Sequence, residues 1–155
     1  MNSNREIDDI DVDIIRVLQQ NARLSVRELA AKVHRSPTPV FERLRRLEAE
    51  GVITAYSARI DMMKVGRGFT VFCNVRLRHI NTAIHNDFAA EVHNMPEVVE
   101  CYNISGEFDY MLKVQVPDMK SYRSFVTERM GNLPMIDSVQ SVFVMDEIKQ
   151  SPVTI

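Results

Sequence analysis

Apolar positions recur at two different periods along this chain of 155 residues, and the change of period divides it. Three helical patterns come first. In the first, Ile10, Ile14, Val17 and Leu18 repeat at helical spacing. Asp8, Asp9, Asp11 and Asp13 crowd its start, where the helix dipole favours negative charge, and Asn21 is a terminator. The second opens with SVRE, in which Ser25 and Glu28 have the spacing of a capping box. Val26, Leu29, Ala30 and Val33 then give an apolar stripe on a helix of about nine residues. The third lies in SPTPVFERLRRLEAEGVI, residues 36–53. Ser36 is expected as its N-cap, Pro37 suits the first helical position, and Pro39 falls in a first turn whose N–H groups have no intrahelical partner. Gly51 marks the stop. Val40, Leu44 and Leu47 share one face, and Thr38, Glu42, Arg45 and Ala49 point the opposite way. Pro39 and Arg46 flank that outer face, and Arg43 lies nearer the buried edge. The following VITAYSARID reads as an extended, partly apolar segment that leaves the helices as a strand or linker.

From residue 69 the period changes. FTVFCNVRLR alternates, with Val71, Cys73, Val75 and Leu77 on one face. Residues 82–94 return to helical spacing through Ile84, Phe88 and Val92. EVVECYNI and DYMLKVQV are strand-like and joined by a turn at SGEF. Residues 118–130 form a second helical stretch, with Asp118 as cap and Tyr122, Phe125 and Val126 inward, before SVQSVFVMDEIK alternates as a last strand. The order is a split βαβ pattern. Asn94-Met95-Pro96-Glu97-Val98 and Asn132-Leu133-Pro134-Met135-Ile136 both stand between a helix and a strand, a faint internal repeat. Together these predict a ferredoxin-like sandwich with both helices on one face of an antiparallel sheet. Alternation puts Phe72, Val99, Cys101, Met111, Val142 and Val144 on the other face, which is apolar enough to need cover from another subunit.

Charge sharpens the picture of the first part. The net charge is only −2, yet residues 23–46 hold seven basic and two acidic residues. A short basic segment in an otherwise acidic chain points to one surface built for a polyanion. His34 and Arg35 alone separate the second and third helical patterns, and a tight connection into a basic helix fits a helix-turn-helix. In that motif the tip of the second helix meets base edges in the major groove. Small residues at the tip, Thr38 and Pro39, allow close approach, and Arg43, Arg45 and Arg46 would neutralise phosphates or fork onto guanine. Arg27, Ser36 and Glu42 complete the expected DNA-contacting set. No run nears the ~18 apolar residues of a membrane span, and the polar, acidic MNSNREIDDIDVD does not read as a signal peptide. Cys73 and Cys101 read as reduced thiols in apolar runs of a cytoplasmic protein. The methionines read as core filler, and no metal site or cofactor is expected.

The chain as a whole resembles the Lrp/AsnC family of transcription factors, the feast/famine regulators. The resemblance is carried by DDIDVDIIRVLQQNARLSVRELA, SPTPVFERLRRLEAEGVITAYSARID, GEFDYMLKV and LPMIDSVQSVFVMDEIKQS, which together span nearly all of residues 8–151. It implies an α+β chain: a winged-type helix-turn-helix in residues 1–60, with a linker strand over about 52–66, and a ferredoxin-like βαββαβ sandwich in residues 67–155. It implies a sequence-specific transcriptional regulator of double-stranded DNA, built from homodimers that assemble into octamers or other rings. It implies, too, an amino acid effector near the turn Ser105-Gly106-Glu107-Phe108-Asp109. There Gly106 would let backbone N–H groups approach a carboxylate, and Asp109 would accept from an ammonium. Tyr102, Ile104, Gln140 and Ser141 would complete the pocket. Val139 and Ser141 depart from the family, many of whose members carry two threonines there.

Two other readings compete. Some chains of this plan resemble sirohaem decarboxylases, which act on a tetrapyrrole with histidine and basic side chains. Of His34, His79, His85 and His93, the last two share a helix face, but no H-E-x-x-H or cysteine-pair spacing accompanies them. The basic third helix favours DNA over an enzyme. The other rival is a ligand-binding scaffold whose helices serve only assembly.

Overall fold

The structure, a computed structural model, describes residues 6–151 and 153. Residues 1–5 of the polar N-terminal stretch therefore lie outside it. The chain forms two compact units, one from residues 1–59 with 149–155 and one from residues 60–148.

The first unit holds α1 (Asp9–Gln20), α2 (Val26–Lys32) and α3 (Pro37–Ala49). Asp8 caps α1 by accepting from the amides of Ile10 and Asp11, both at 3.0 Å, and the Asp11 carboxylate accepts the Asp8 amide in return at 3.2 Å. Ser25 and Glu28 form the expected capping box on α2. Ser36 departs from expectation. It stands at the N-cap of α3 in extended conformation, but its hydroxyl makes no capping bond. A serine cap bonds the N–H of the second or third helical residue, and the third is Pro39, which has none.

Two helices in this unit end in the same way. After α2, His34 sits at φ 53°, its N–H reaching Ala31 O and that of Arg35 reaching Ala30 O. After α3, Gly51 sits at φ 71°, with its own N–H on Glu48 O and that of Val52 on Leu47 O. Both are Schellman closures, one with histidine where glycine is usual. Ile14, Leu29, Ala30, Val33, Val40 and Leu47 are the core.

The segment expected as a linker strand over 52–66 forms no strand. A strand needs a hydrogen-bonded neighbour as well as apolar spacing. Residues 149–151 and 153, expected in the second unit, belong to the first: Arg59 donates to Gln150 Oε1 at 3.1 Å and Gln19 Nε2 to Val153 O at 2.8 Å.

The second unit runs β1 (Phe69–Leu77), α4 (Thr82–His93), β2 (Val98–Asn103), β3 (Tyr110–Val116), α5 (Met119–Ser124) and β4 (Ile136–Phe143). The sheet order is β2-β3-β1-β4 and every pairing is antiparallel. The faint repeat is structural: Val98 N bonds Met95 O and Ile136 N bonds Leu133 O, both at 3.1 Å. The second helical stretch is not one α-helix. Asp118 caps α5, but a π-helical turn, Phe125–Arg129, and a 3₁₀ turn, Met130–Asn132, follow it. Within the wide turn the Thr127 hydroxyl donates back to Arg123 O at 2.9 Å.

Val71, Cys73, Val75, Leu77, Leu112 and Val114 are buried with Phe88, Tyr122 and Phe125 in one core. On the opposite face Phe72, Met111 and Val142 stand as expected, but Cys101 does not. A register irregularity between Val98 and Glu100 takes up Val99, so Cys101 pairs with Leu112 on the core side, and Glu100 and Tyr102 take the outer face. One extra residue inverts the alternation beyond it. That outer face is bare in the single chain and mixed in chemistry: Lys113 Nζ meets Glu100 at 3.0 Å, and Asn74 Nδ2 meets Gln140 Oε1 at 3.1 Å.

Candidate nucleic-acid interface and ligand site

Along α3, Thr38, Pro39, Glu42 and Arg45 are exposed, as is Arg27 on α2. Thr38 and the unbonded Ser36 hydroxyl lie at the helix tip, where the dipole is positive. Arg45 has no carboxylate partner among the described residues. Its guanidinium lies 5.8 Å from the centre of the Phe41 ring, and Phe41 is itself exposed.

Arg43 and Arg46, expected on the DNA-facing side, are turned against α1 instead. Arg43 meets Asp8 at 2.7 Å and Asp11 at 2.8 Å, and Arg46 meets Asp11 at 2.5 Å and Glu50 at 3.4 Å. Among the described residues, Asp11 is the one fully buried charged group. Burial alone would raise its pKa, but the hydrogen bonds from Arg43 and Arg46 outweigh that and hold it below the usual carboxylate range. Asp8 is lowered too, chiefly by Arg43. Both guanidiniums are pushed the other way by the same bonds. Buried charges persist only when paired, and Asp11 is where these two arginines find their partner. Sequence reading saw basic residues on a helix and acidic ones on another without linking them, since more than 30 residues separate the pairs.

In the second unit the expected ligand turn sits over the end of β1. Gly106 adopts φ 120°, and a Cβ built on it would meet nothing within 4 Å, so conformation and not crowding selects glycine there. Arg76, not anticipated, clamps the turn. It donates to Glu107 O and Glu107 Oε1, each at 3.0 Å, and its guanidinium lies 5.4 Å from the centre of the Phe108 ring. Asp109 is committed in part: its Oδ2 accepts the Leu77 amide at 2.7 Å. Its amide donates to Val75 O and its carbonyl accepts the amides of Ile104 and Asn103 Nδ2.

The remaining candidates do not converge. Tyr102 and Gln140 lie in one row across the outer face, through Met111 and Asn74. The Tyr102 hydroxyl donates to Glu100 at 2.6 Å. Ser141 is on the core side, paired with Cys73, its hydroxyl 2.6 Å from that of Tyr122. Adjacent strand residues point to opposite faces, so Gln140 and Ser141 lie on opposite sides of the sheet. Burial pushes the Cys73 thiol up to about 11, an inert thiol behind the sheet.

Of the histidines, His85 Nδ1 is 2.7 Å from the Tyr110 hydroxyl and His93 is exposed. No group of three or more His, Cys, Asp or Glu side chains among the described residues is placed to hold a metal ion. No helix among them is long and apolar enough to cross a membrane.

Comparison with known proteins bears on both units. Residues 7–54 match the family model for a winged helix-turn-helix DNA-binding domain. Residues 70–154 match that for the Lrp/AsnC ligand binding domain. The leucine-responsive regulatory protein of Salmonella typhimurium is 38% identical over 147 residues, 95% of this chain and 90% of its own. A transcriptional regulator of Neisseria meningitidis, solved in complex with L-Met, superposes with a TM-score of 0.89 at 36% identity, covering 94% of each chain. An AsnC family regulator of Agrobacterium tumefaciens superposes at 0.88 and 38%, covering 93% of this chain and 94% of its own. With its helix-turn-helix in one unit and its ligand-binding sandwich in the other, this chain belongs to the Lrp/AsnC family of transcriptional regulators.

Proposed function

We propose that α3 lies in the major groove of double-stranded DNA, with Ser36, Thr38 and Pro39 at its tip, and with Arg45 and Arg27 on guanine or phosphate. Glu42 faces the groove beside them, suited to the exocyclic amine of a cytosine. One observation carries this reading. Pro39 removes the amide that Ser36 would otherwise cap, so that hydroxyl is left without a capping bond at the positive end of the helix, and further along α3 Arg45 has no carboxylate partner among the described residues. Arg43 and Arg46 serve a different task, bracing α3 against α1. Arg45→Ala then weakens binding to a selected duplex and lowers the slope of log affinity against log salt by about 1. Unchanged affinity and slope would remove α3 from the groove.

The second unit takes an amino acid effector at the turn that Gly106 opens, in keeping with the L-Met complex and the leucine-responsive relative. The Gly106 amide is the donor to its carboxylate, and the remaining capacity of Asp109 serves its ammonium. Gln140 belongs to the covered outer face and Ser141 to the support of Tyr122. A thermal-shift screen against the twenty amino acids tests this: the cognate one raises the melting temperature, and Asp109→Ala removes the rise. A full rise in that variant would take Asp109 out of the pocket. The covering subunit is a second copy of the chain, and such dimers build the octamer or ring. Exposed Val142 on that face supports such cover. Work on chromosomal DNA places the protein in the cytoplasm.

A further inference from the structure

Phe41, 46% exposed, is the one large apolar side chain that α3 leaves exposed. A lone surface aromatic needs no explanation in itself. This one has a particular address. Pro37 is the first residue of α3, so Phe41 falls early in its second turn, with Thr38 one turn before it and Arg45 one turn after. That is the half of a recognition helix that reaches base edges. On the other flank Arg43 and Arg46 are held by Asp8, Asp11 and Glu50. The basic group left to this flank, Arg45, rests over the Phe41 ring and not on a carboxylate.

The groove offers one apolar group for such a ring. The 5-methyl of thymine is the hydrocarbon that a base pair presents in the major groove, and aromatic side chains pack on it. A guanidinium held over a ring by cation–π attraction keeps its N–H donors free for the O6 and N7 acceptors of guanine. Four residues of helix advance about 6 Å, close to two base-pair steps of about 3.4 Å.

We propose that Phe41 is a specificity-determining residue, its ring packing on a thymine 5-methyl while it holds Arg45 for a guanine within about two base pairs. This rests on the reading that α3 enters the major groove.

The test uses the full-length protein. Duplexes are selected from a random pool, and affinity is measured for the selected site with each thymine in turn replaced by deoxyuridine, which removes only the methyl. At one thymine per half-site the native protein loses about fourfold, the factor that corresponds to one buried methyl. Phe41→Ala shows no loss there, Phe41→Leu keeps part of it, and Arg45→Ala relaxes the choice of the neighbouring guanine. The native arm alters only the DNA, so no folding defect can imitate its result. If every uracil substitution is neutral on a tightly bound duplex, or Phe41→Ala senses the methyl as the native protein does, the role of Phe41 is overturned while the groove reading stands. A pool from which nothing is enriched overturns both.

Discussion

Replacing Asp11 with alanine should loosen the helical unit and leave the sheet untouched. The carboxylate is fully buried and accepts from Arg43 at 2.8 Å, Arg46 at 2.5 Å and the Asp8 amide at 3.2 Å. Removing one member of a buried ion pair costs about 3–5 kcal/mol when the survivor is trapped. Here neither survivor is. The side chains of Arg43 and Arg46 are 29% and 21% exposed, and they retain Asp8 and Glu50. The expected loss is therefore about 2–3 kcal/mol, which makes local opening roughly 30- to 150-fold more frequent. Amide hydrogen exchange on the full chain reads this by element. Protection should fall by that factor in Asp9–Gln20 and Pro37–Ala49 and hold in Phe69–Leu77. Protection unchanged within about twofold in α1 and α3 would show that the buried carboxylate does not hold them together.

Acid should act on the same group. The folded-state pKa values of Asp8 and Asp11 lie below their unfolded values, so their pairing stabilises the protein above about pH 4 and is lost as pH falls through and below it. Melting followed in the helical unit should drop in that window, and Asp11→Asn should flatten the drop. Tyr122→Phe leaves the Ser141 hydroxyl without its partner and should cost about 1–2 kcal/mol in denaturant unfolding. Adding Ser141→Ala should recover most of that, since removing both polar groups is nearly neutral. His34→Gly relieves the left-handed residue between α2 and α3 and should stabilise the helical unit by about 0.5–1 kcal/mol in the same assay.

What could be read from the sequence was what neighbours in the chain decide. The caps at Ser25 and Asp118 involve partners within three residues, and the alternation of β1 is uninterrupted, so pattern alone places them. The proline that disarms the Ser36 cap was equally local and went unused. The misassigned positions depend on partners or offsets that no local pattern carries. Val99 is one surplus residue that looks like any other valine in a strand, yet it turns Cys101 to the core side. Arg43 and Arg46 look like Arg45 until α1 is folded beside them. Gln140 and Ser141 entered together through the family resemblance, whereas adjacency in a strand sets them on opposite faces. Arg76 lay in a strand whose alternation drew attention to its buried residues, so its grip on the turn was missed.

The bond from the Leu77 amide to the Asp109 carboxylate has a mechanical meaning. It joins the base of the β2–β3 turn, where β3 begins, to the step between Arg76 and Leu77 where β1 and β4 lose register. On the proposed reading, an effector ammonium that draws on that carboxylate would be felt at this uneven joint, beside the edge strand β4.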